Sequence, residues 1–304
     1  MGDTRPIGVF DSGLGGLTVA KEIFRLMPWE RIIYLGDTAR VPYGGKSEET
    51  IRRFGLQDAR TLLDLNVKML IVACNTVSSV AIDYLERHIK DVPVIGVVLP
   101  GARAAATRSA EKRIGVIGTA ATVRSGAYAK AINSIDPSIK VYGKPCPLFV
   151  PLVEEGMIDN DITRLAVQHY LYEMVDLGID TLILGCTHYP ILMEVIQSTV
   201  GNRIQLVDSA LWTAKEAQHI MKATGTEYPA AQSHSKSMEQ QERQAAVKRA
   251  AGQFSADNSE GVAASRFLVS DVTPNFESVA ETLLGAGLPS IEKVSVEELE
   301  EKEV

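Results

Sequence analysis

The chain has 304 residues, of which 45% are hydrophobic and 23% are charged, with a net charge of −7 and three cysteines. This composition is that of a globular protein long enough for two domains. The negative charge argues against charge-driven binding of nucleic acid, which needs clustered Lys and Arg side chains.

Strand-like apolar runs alternate with helix-length segments along the whole chain. Their continuous Val, Ile and Leu content indicates strands that are covered on both faces, and the alternation predicts an α/β fold with mainly parallel sheets. The N-terminus lacks the basic start and apolar run of a signal peptide, and no run approaches the roughly 18 apolar residues of a membrane span, so we expect a cytoplasmic protein with no membrane partner. The predicted strands are residues 7–10, 31–35, 68–73, 94–98, 114–118, 140–143, 181–185, 204–208 and 266–270.

Two segments of the sequence echo each other. IGVFDSGLGG begins at residue 7 and IGVIGTAATV at residue 114, and each is followed about 70 residues later by a cysteine at a strand end. We interpret this echo as a weak internal repeat, so the predicted fold has two similar doubly wound, mainly parallel-sheet domains that face each other across a cleft. The first domain is predicted to comprise residues 1–98 and 208–304, and the second residues 99–207. A polar stretch at about residues 226–263 is expected to be a flexible surface insertion in the first domain.

Cys74 and Cys186 occupy matching positions, in LIVACNTV and LILGCTHYP. Ligands of open α/β sheets bind outside the carboxyl ends of the strands, so we expect six residues to share one rim: Asp11, Ser12, Asp37, Cys74, Thr119 and Cys186. At a strand-to-helix turn, backbone N–H groups and the helix dipole favour an anion, which predicts a lowered thiol pKa there. With three widely spaced cysteines and no Cys-x-x-Cys pair, we expect neither a disulfide framework nor a structural zinc site.

Two thiols that face each other suggest inversion of a stereocentre, because one can remove a proton while the other returns a proton on the opposite face. The alternatives are a redox pair that forms a reversible disulfide, or buried apolar side chains, which is our interpretation of Cys146. Asp11 and Asp37 could also be ordinary caps of the helices that follow. DSGLGG lacks the G-x-G-x-x-G spacing of a dinucleotide site.

Seven segments carry a specific resemblance to a known family. They are GVFDSGLGGLTV, GDTARVPYG, ACNTVSS, GVIGTAATV, CPLFVPLVEEG, LGCTHYP and VDSA. Through them nearly the whole chain resembles the glutamate racemases of the cofactor-independent aspartate/glutamate racemase superfamily. The polar stretch at about 226–263 is longer than we expect for this part of the family.

The resemblance implies interconversion of L- and D-glutamate, with D-glutamate entering bacterial peptidoglycan synthesis. The implied catalytic residues are Cys74 as the base for D-glutamate, assisted by Asp11 and Asp37, and Cys186 as the base for L-glutamate, assisted by Glu154 and His188. The implied substrate-binding residues are Asp11, Ser12, Pro42, Tyr43, Gly44, Asn75, Thr76, Thr119, Thr122, Thr187 and His188.

The resemblance also implies that no metal, pyridoxal phosphate or other cofactor is used, that the chain forms a homodimer, and that the domains close over the substrate. Aspartate racemase stays open as an alternative, because a substrate shorter by one methylene group is discriminated by only about 1–3 kcal/mol. A related decarboxylase with one catalytic cysteine is disfavoured by the presence of both cysteines.

Overall fold

A computed structural model describes residues 2–229, 260–272, 276–284 and 290–303. Within these ranges ten strands form two sheets, and every strand pair is parallel. The strands are β1 (Ile7–Asp11), β2 (Ile32–Gly36), β3 (Met69–Val72), β4 (Val94–Gly96), β5 (Arg113–Gly118), β6 (Lys140–Pro145), β7 (Thr181–Gly185), β8 (Gln205–Asp208), β9 (Arg266–Val269) and β10 (Ile291–Lys293).

Helices follow most of the strands. The α-helices are α1 (Leu17–Leu26), α2 (Glu48–Asp64), α3 (Asn75–Val80), α4 (Ile82–His88), α5 (Val98–Arg108), α6 (Ala120–Arg124), α7 (Ala127–Ile135), α8 (Phe149–Glu154), α9 (Asp161–Asp176), α10 (Met193–Val200), α11 (Ser209–Thr224), α12 (Glu260–Ala263), α13 (Phe276–Leu284) and α14 (Val296–Glu300). Short 3₁₀ helices span Thr38–Arg40, Tyr43–Gly45, Tyr189–Leu192 and Glu301–Glu303. Across the described ranges, every helix is too short or too polar to traverse a lipid bilayer.

The two sheets repeat one strand order. The larger sheet runs β10-β9-β2-β1-β3-β4 and the smaller β6-β5-β7-β8, so each contains a first strand flanked by its second and third strands. The predicted α/β fold with two similar doubly wound parallel sheets is confirmed. The chain also returns to the larger sheet after β8, as β9 and β10 show. The residue boundaries proposed for the two domains stay a prediction.

All nine predicted strands are present, with two differences. β4 ends at Gly96, and Val98 already begins α5, so the apolar run 94–98 covers the end of one element and the start of the next. β10 was not predicted, because it is three residues long and its side chains are only half-buried or exposed at the sheet edge. Most of the predicted polar insertion, residues 230–259, lies outside the described residues.

Helices cover both faces of the larger sheet. Ile7 and Val9 of β1 join an apolar cluster with α1 and α11, whereas Phe10 points to the opposite cluster, which includes side chains of α2. Successive strand residues point to opposite faces, so a continuous apolar strand is what a doubly covered sheet requires. Each fully buried side chain of this size contributes about 1.5–3 kcal/mol. The rigid sheet therefore fixes where its carboxyl-terminal turns lie.

Candidate active site

The two cysteines lie at equivalent points of the repeated fold. Cys74 follows β3 and precedes α3, and Cys186 follows β7, while β3 and β7 are both the third strand of their sheet. In each sheet the connection from the first strand runs to one side and the connection from the third strand to the other, and open α/β sheets bind ligands at such a reversal. Both cysteines are free and buried, with 4% and 6% of their surface exposed.

The Cys74 side is built around a buried carboxylate. Cys74 Sγ donates to Ser12 Oγ over 3.4 Å. Asp11 is fully buried, and its Oδ2 accepts from the backbone N–H groups of Gly13 (3.3 Å) and Gly16 (2.9 Å). A Cβ at Gly16 would lie 2.6 Å from the Asp11 Cβ, so only glycine allows this close turn. Asp11 Oδ1 is buried without a hydrogen-bond partner, which leaves one acceptor for a ligand.

Burial dominates the electrostatics on this side. It raises the pKa of Asp11, although the charge of His188 and the glycine N–H groups act in the opposite direction. Burial, and then the charge of Asp11, raise the pKa of Cys74 to about 12. The prediction that the strand-to-helix turn lowers the thiol pKa is therefore wrong for Cys74, because desolvation and a nearby carboxylate outweigh the first turn of a short helix.

The Cys186 side is built around a histidine. Cys186 Sγ lies 3.8 Å from His188 Nδ1, and His188 Nε2 lies 3.4 Å from Glu154 Oε1 at the end of α8. Burial opposes a charge on His188, but Cys186, Glu154 and Asp11 together raise its pKa to about 10. The imidazole is therefore held as a cation at neutral pH. The Glu154 side chain is 43% exposed, so water screens its part of this interaction.

Contacts between the two halves bring the two sides together. A Cβ at Gly15 would lie 2.2 Å from Thr187 Oγ1 and 3.0 Å from His188 Nδ1. The turn after β1 therefore lies directly against the turn after β7, and the absence of a side chain at Gly15 permits this approach.

A chain of threonines forms a second contact between the halves. Thr76 Oγ1 and Thr119 Oγ1 are 3.0 Å apart, and Thr119 Oγ1 is also 3.0 Å from Thr122 Oγ1. A Cβ at Gly44 would lie 2.6 Å from the Thr119 Cβ, so the Tyr43–Gly45 turn also packs against Thr119. The predicted residues Thr76, Thr119, Thr122 and Gly44 are thus brought together.

Asn75 is oriented by a residue that the sequence analysis missed. Tyr128 of α7 donates its hydroxyl to Asn75 Oδ1 over 2.6 Å, and its oxygen lies 3.1 Å from Ser209 Oγ. Because the carbonyl of the Asn75 amide is occupied, its NH₂ group is left to meet an acceptor. Tyr128 lies in none of the seven segments quoted above, and Ser209, although it lies in VDSA, is not next to a cysteine in sequence, so neither was singled out.

The structure places Asp37 and Tyr43 in the interior and Pro42 at the surface. Asp37 is fully buried, and its hydrogen bonds go to Arg40, Tyr43 and Ser270 rather than to Cys74. The Tyr43 side chain points into this same interior, while Pro42 is exposed. The thiol that the resemblance assigns to Asp37 is therefore not among its hydrogen-bond partners.

Cys146, expected to be an apolar core residue, is fully buried in the cluster that includes Cys186. Its Sγ donates to the Lys144 carbonyl over 3.6 Å, and its own carbonyl accepts from the Tyr189 hydroxyl.

Among the described residues, no group of three or more His, Cys, Asp or Glu side chains is arranged to hold a metal ion.

Comparison with known proteins agrees with this architecture. Residues 16–217 match the family model described as Asp/Glu/Hydantoin racemase. The chain is 51% identical over 218 residues to a glutamate racemase of Geobacter metallireducens, covering 72% of this chain and 80% of the relative. It is 40% identical over 296 residues to a glutamate racemase of Neisseria meningitidis, covering 97% of this chain and 98% of the relative.

A solved structure extends the similarity to the fold. The structure of glutamate racemase from Francisella tularensis in complex with D-glutamate matches with a TM-score of 0.81 and 37% identity, covering 96% of this chain and 98% of that chain. Sequence and fold similarity thus extend over nearly the whole chain, and the chain belongs to the Asp/Glu/hydantoin racemase family.

Proposed function

We propose that this protein interconverts L- and D-glutamate without a cofactor, with one of Cys74 and Cys186 removing the α-proton and the other delivering a proton to the opposite face. The observation that carries this proposal is the placement of the two thiols at equivalent turns of a repeated fold, each with its own polar partners. The names of the relatives support glutamate as the substrate.

The reaction needs one thiolate and one thiol in each direction. Cys186, as a thiolate, removes the α-proton of L-glutamate, and the Cys74 thiol delivers its proton to the opposite face, which gives D-glutamate, a Cys186 thiol and a Cys74 thiolate. The reverse reaction exchanges these roles. The pKa of about 12 supports a protonated Cys74 in the substrate-free protein. A protonated Cys74 is the proton donor that the reaction of L-glutamate requires.

The substrate-binding assignments also form part of the proposal. The partnerless Oδ1 of Asp11 would accept from the substrate ammonium, with Ser12 beside it. The NH₂ group of Asn75 and the threonine hydroxyls would donate to the two carboxylates, as would the Tyr43–Gly44 turn. The proposed threonines are Thr76, Thr119, Thr122 and Thr187. Donors fixed before the substrate arrives stabilise the carbanion-like state with little reorganisation. Because both thiols are buried, the two domains would have to open to admit glutamate.

Incubation with L-glutamate in D₂O without added cofactor tests the proposal. We expect D-glutamate that carries deuterium at Cα, measured by chiral chromatography and mass spectrometry. The same assay with L-aspartate distinguishes the aspartate alternative, and we expect slower turnover there. Folded protein that forms no α-deuterated D-glutamate would contradict the proposal.

We further propose a cytoplasmic homodimer whose product supplies peptidoglycan synthesis. An exposed apolar face along α9 supports an interface between two copies: Ile162 is 60% exposed, Leu165 65% and Tyr172 55%, and their spacing places them on one side of the helix. Sedimentation analysis should show a dimer that Leu165→Glu dissociates. A wild-type monomer at assay concentrations would contradict this part of the proposal.

A further inference from the structure

A buried polar cluster, which we call the Asp37–Asp58 cluster, lies behind the Tyr43–Gly45 turn. Its members are Asp37, Arg40, Tyr43, Gln57, Asp58 and Ser270, each at most 8% exposed. They come from the turn after β2, from α2 and from the end of β9. Two carboxyl groups and one guanidinium thus share an interior site, where the number of bound protons decides the net charge.

Asp37 accepts hydrogen bonds through both of its oxygens. Ser270 Oγ accepts from the Ala39 N–H at 2.8 Å, so its own proton is free to be donated to Asp37 Oδ1 at 2.9 Å. Arg40 Nε donates to Asp37 Oδ2 at 2.6 Å, and the Tyr43 hydroxyl donates to the same oxygen. Three donors and no acceptor surround this group, which is the pattern of an ionised carboxylate.

Asp58 has a different environment. Its Oδ1 accepts from Arg40 at 3.1 Å, and its Oδ2 lies 3.2 Å from the Tyr43 hydroxyl oxygen. That hydroxyl lies within donating distance of both carboxyl groups but has a single proton, so when it donates to Asp37 the phenolic oxygen can only accept from Asp58. A proton on Asp58 Oδ2 completes this contact, whereas an ionised Asp58 would set two oxygens without a shared proton against each other.

The charges of the cluster favour the same arrangement. Arg40 is held by Asp37, by Asp58 and by Gln57 Oε1 at 2.5 Å, and it lies 4.0 Å above the ring of Phe54. One carboxylate balances this single cation, and a second would leave a net negative charge in the interior. Burial, and then the charge of Asp37, raise the pKa of Asp58 well above its usual range, although Arg40 opposes them.

We infer that Asp58 is a protonated carboxyl group that donates to Tyr43 and so positions the Tyr43–Gly45 turn against Thr119 at the substrate site. Asp58 is a positioning residue: it acts through Tyr43 and does not itself touch the substrate. This inference rests on the proposed function, because the turn carries two of the proposed substrate-binding residues, Tyr43 and Gly44. In this arrangement Asp37 is ionised because donors surround it, and Asp58 is neutral because it donates to Tyr43.

Two isosteric substitutions separate these roles. In Asp58→Asn, the amide oxygen can accept from Arg40 while the NH₂ group donates to Tyr43, so both native contacts are reproduced. In Asp37→Asn, the NH₂ group must face a donor, because donors approach both Asp37 oxygens. We expect Asp58→Asn to keep kcat/KM within about 3-fold of wild type. Asp37→Asn should lower it by about 5- to 100-fold, mainly through a higher KM for glutamate, which matches a buried donor left unpaired.

Asp58→Leu serves as the third variant, because it provides neither contact. It should show the same rise in KM, and rescue by Asn but not by Leu distinguishes a hydrogen-bond donor from a side chain that only fills space. Infrared difference spectra in D₂O give a readout independent of activity: the carbonyl band of a protonated carboxyl group should be present in the wild-type protein and disappear in Asp58→Asn.

The inference is overturned if Asp58→Asn loses as much activity as Asp37→Asn, or if the protonated carboxyl band survives in Asp58→Asn. If the wild-type protein itself forms no D-glutamate, the proposed function has failed instead. Two measurements would still decide the protonation of Asp58. One is the infrared band, and the other is the denaturation midpoint, which should be unchanged in Asp58→Asn and lowered in Asp37→Asn.

Discussion

The Cys74 side and the Cys186 side share their place in the fold and differ in their electrostatics. Cys74 has a hydroxyl and a buried carboxylate as neighbours, and its pKa is raised to about 12. Cys186 has as its neighbour an imidazole whose pKa is raised to about 10. The repeated strand order sets where each thiol lies, and the residues around it set how protons are held there. In one direction of a reaction, one of these equivalent positions can therefore deliver a proton while the other removes one.

The largest expected effect tests whether both sides are needed. Cys74→Ser and Cys186→Ser should each lower racemisation in both directions by about 10²- to 10⁴-fold, which is the contribution of a positioned acid or base. Polarimetry that starts from each enantiomer measures this loss. Cys146→Ala is the matched control, because it removes a buried thiol outside the proposed site and should keep the activity. A single-cysteine variant with wild-type rates would contradict the two-thiol mechanism.

The second effect concerns the thiol reactivity of Cys74. A pKa of about 12 in place of 9 reduces the thiolate fraction at pH 8 by about 10³-fold. In a protein that carries Cys146→Ala and Cys186→Ser, Cys74 is the only thiol left, and its alkylation should be slow at pH 8 and rise steeply up to pH 10. The same protein unfolded in urea is the control. Rapid alkylation of the folded form at pH 8 would show that the carboxylate side does not hold Cys74 protonated.

The third effect compares the carboxylates on the two sides. Asp11→Asn removes a fully buried charge that two backbone N–H groups hold in place, and should lower kcat/KM by about 10²-fold. Glu154→Gln removes a charge that is 43% exposed, and should lower it by less than about 10-fold. Steady-state kinetics with D-glutamate compare the two variants. Equal losses would mean that exposure does not distinguish the two sides.

The fourth effect is a dependence of stability on pH. The pKa of His188 is raised from 6.5 to about 10 in the folded protein, so its stabilising contribution is fully present below pH 6.5 and is lost as the pH rises through about 10. The difference in unfolding free energy between wild type and His188→Gln should therefore shrink from pH 6 to pH 10 in urea titrations. A difference that stays constant over this range would show that His188 is neutral in the folded protein.

The fold was largely predictable because its signals are local. Continuous apolar runs marked nine strands, and the echo between residues 7 and 114 reappears as the shared strand order. β10 escaped prediction because a short, half-exposed edge strand has no apolar run. The repeat also brought Cys74 and Cys186 to equivalent positions, which is why their neighbours along the chain, such as Asn75 and His188, could be proposed together.

The contacts of the site were less predictable where they join distant segments. Tyr128 meets Asn75, and Ser270 meets Asp37, although 53 and 233 residues separate these pairs. The thiol pKa of Cys74 was predicted in the wrong direction, because a motif shows the helix that follows but not the depth of burial.

By itself the sequence determined the alternation of strands and helices, the repeat, and the two cysteine turns, because hydrophobic periodicity and turn residues act over short distances. Only the tertiary structure decided which carboxyl groups are buried together, which hydroxyl orients which amide, and which groups hold their protons. Those properties depend on desolvation and on charges that reach a site from every element packed around it.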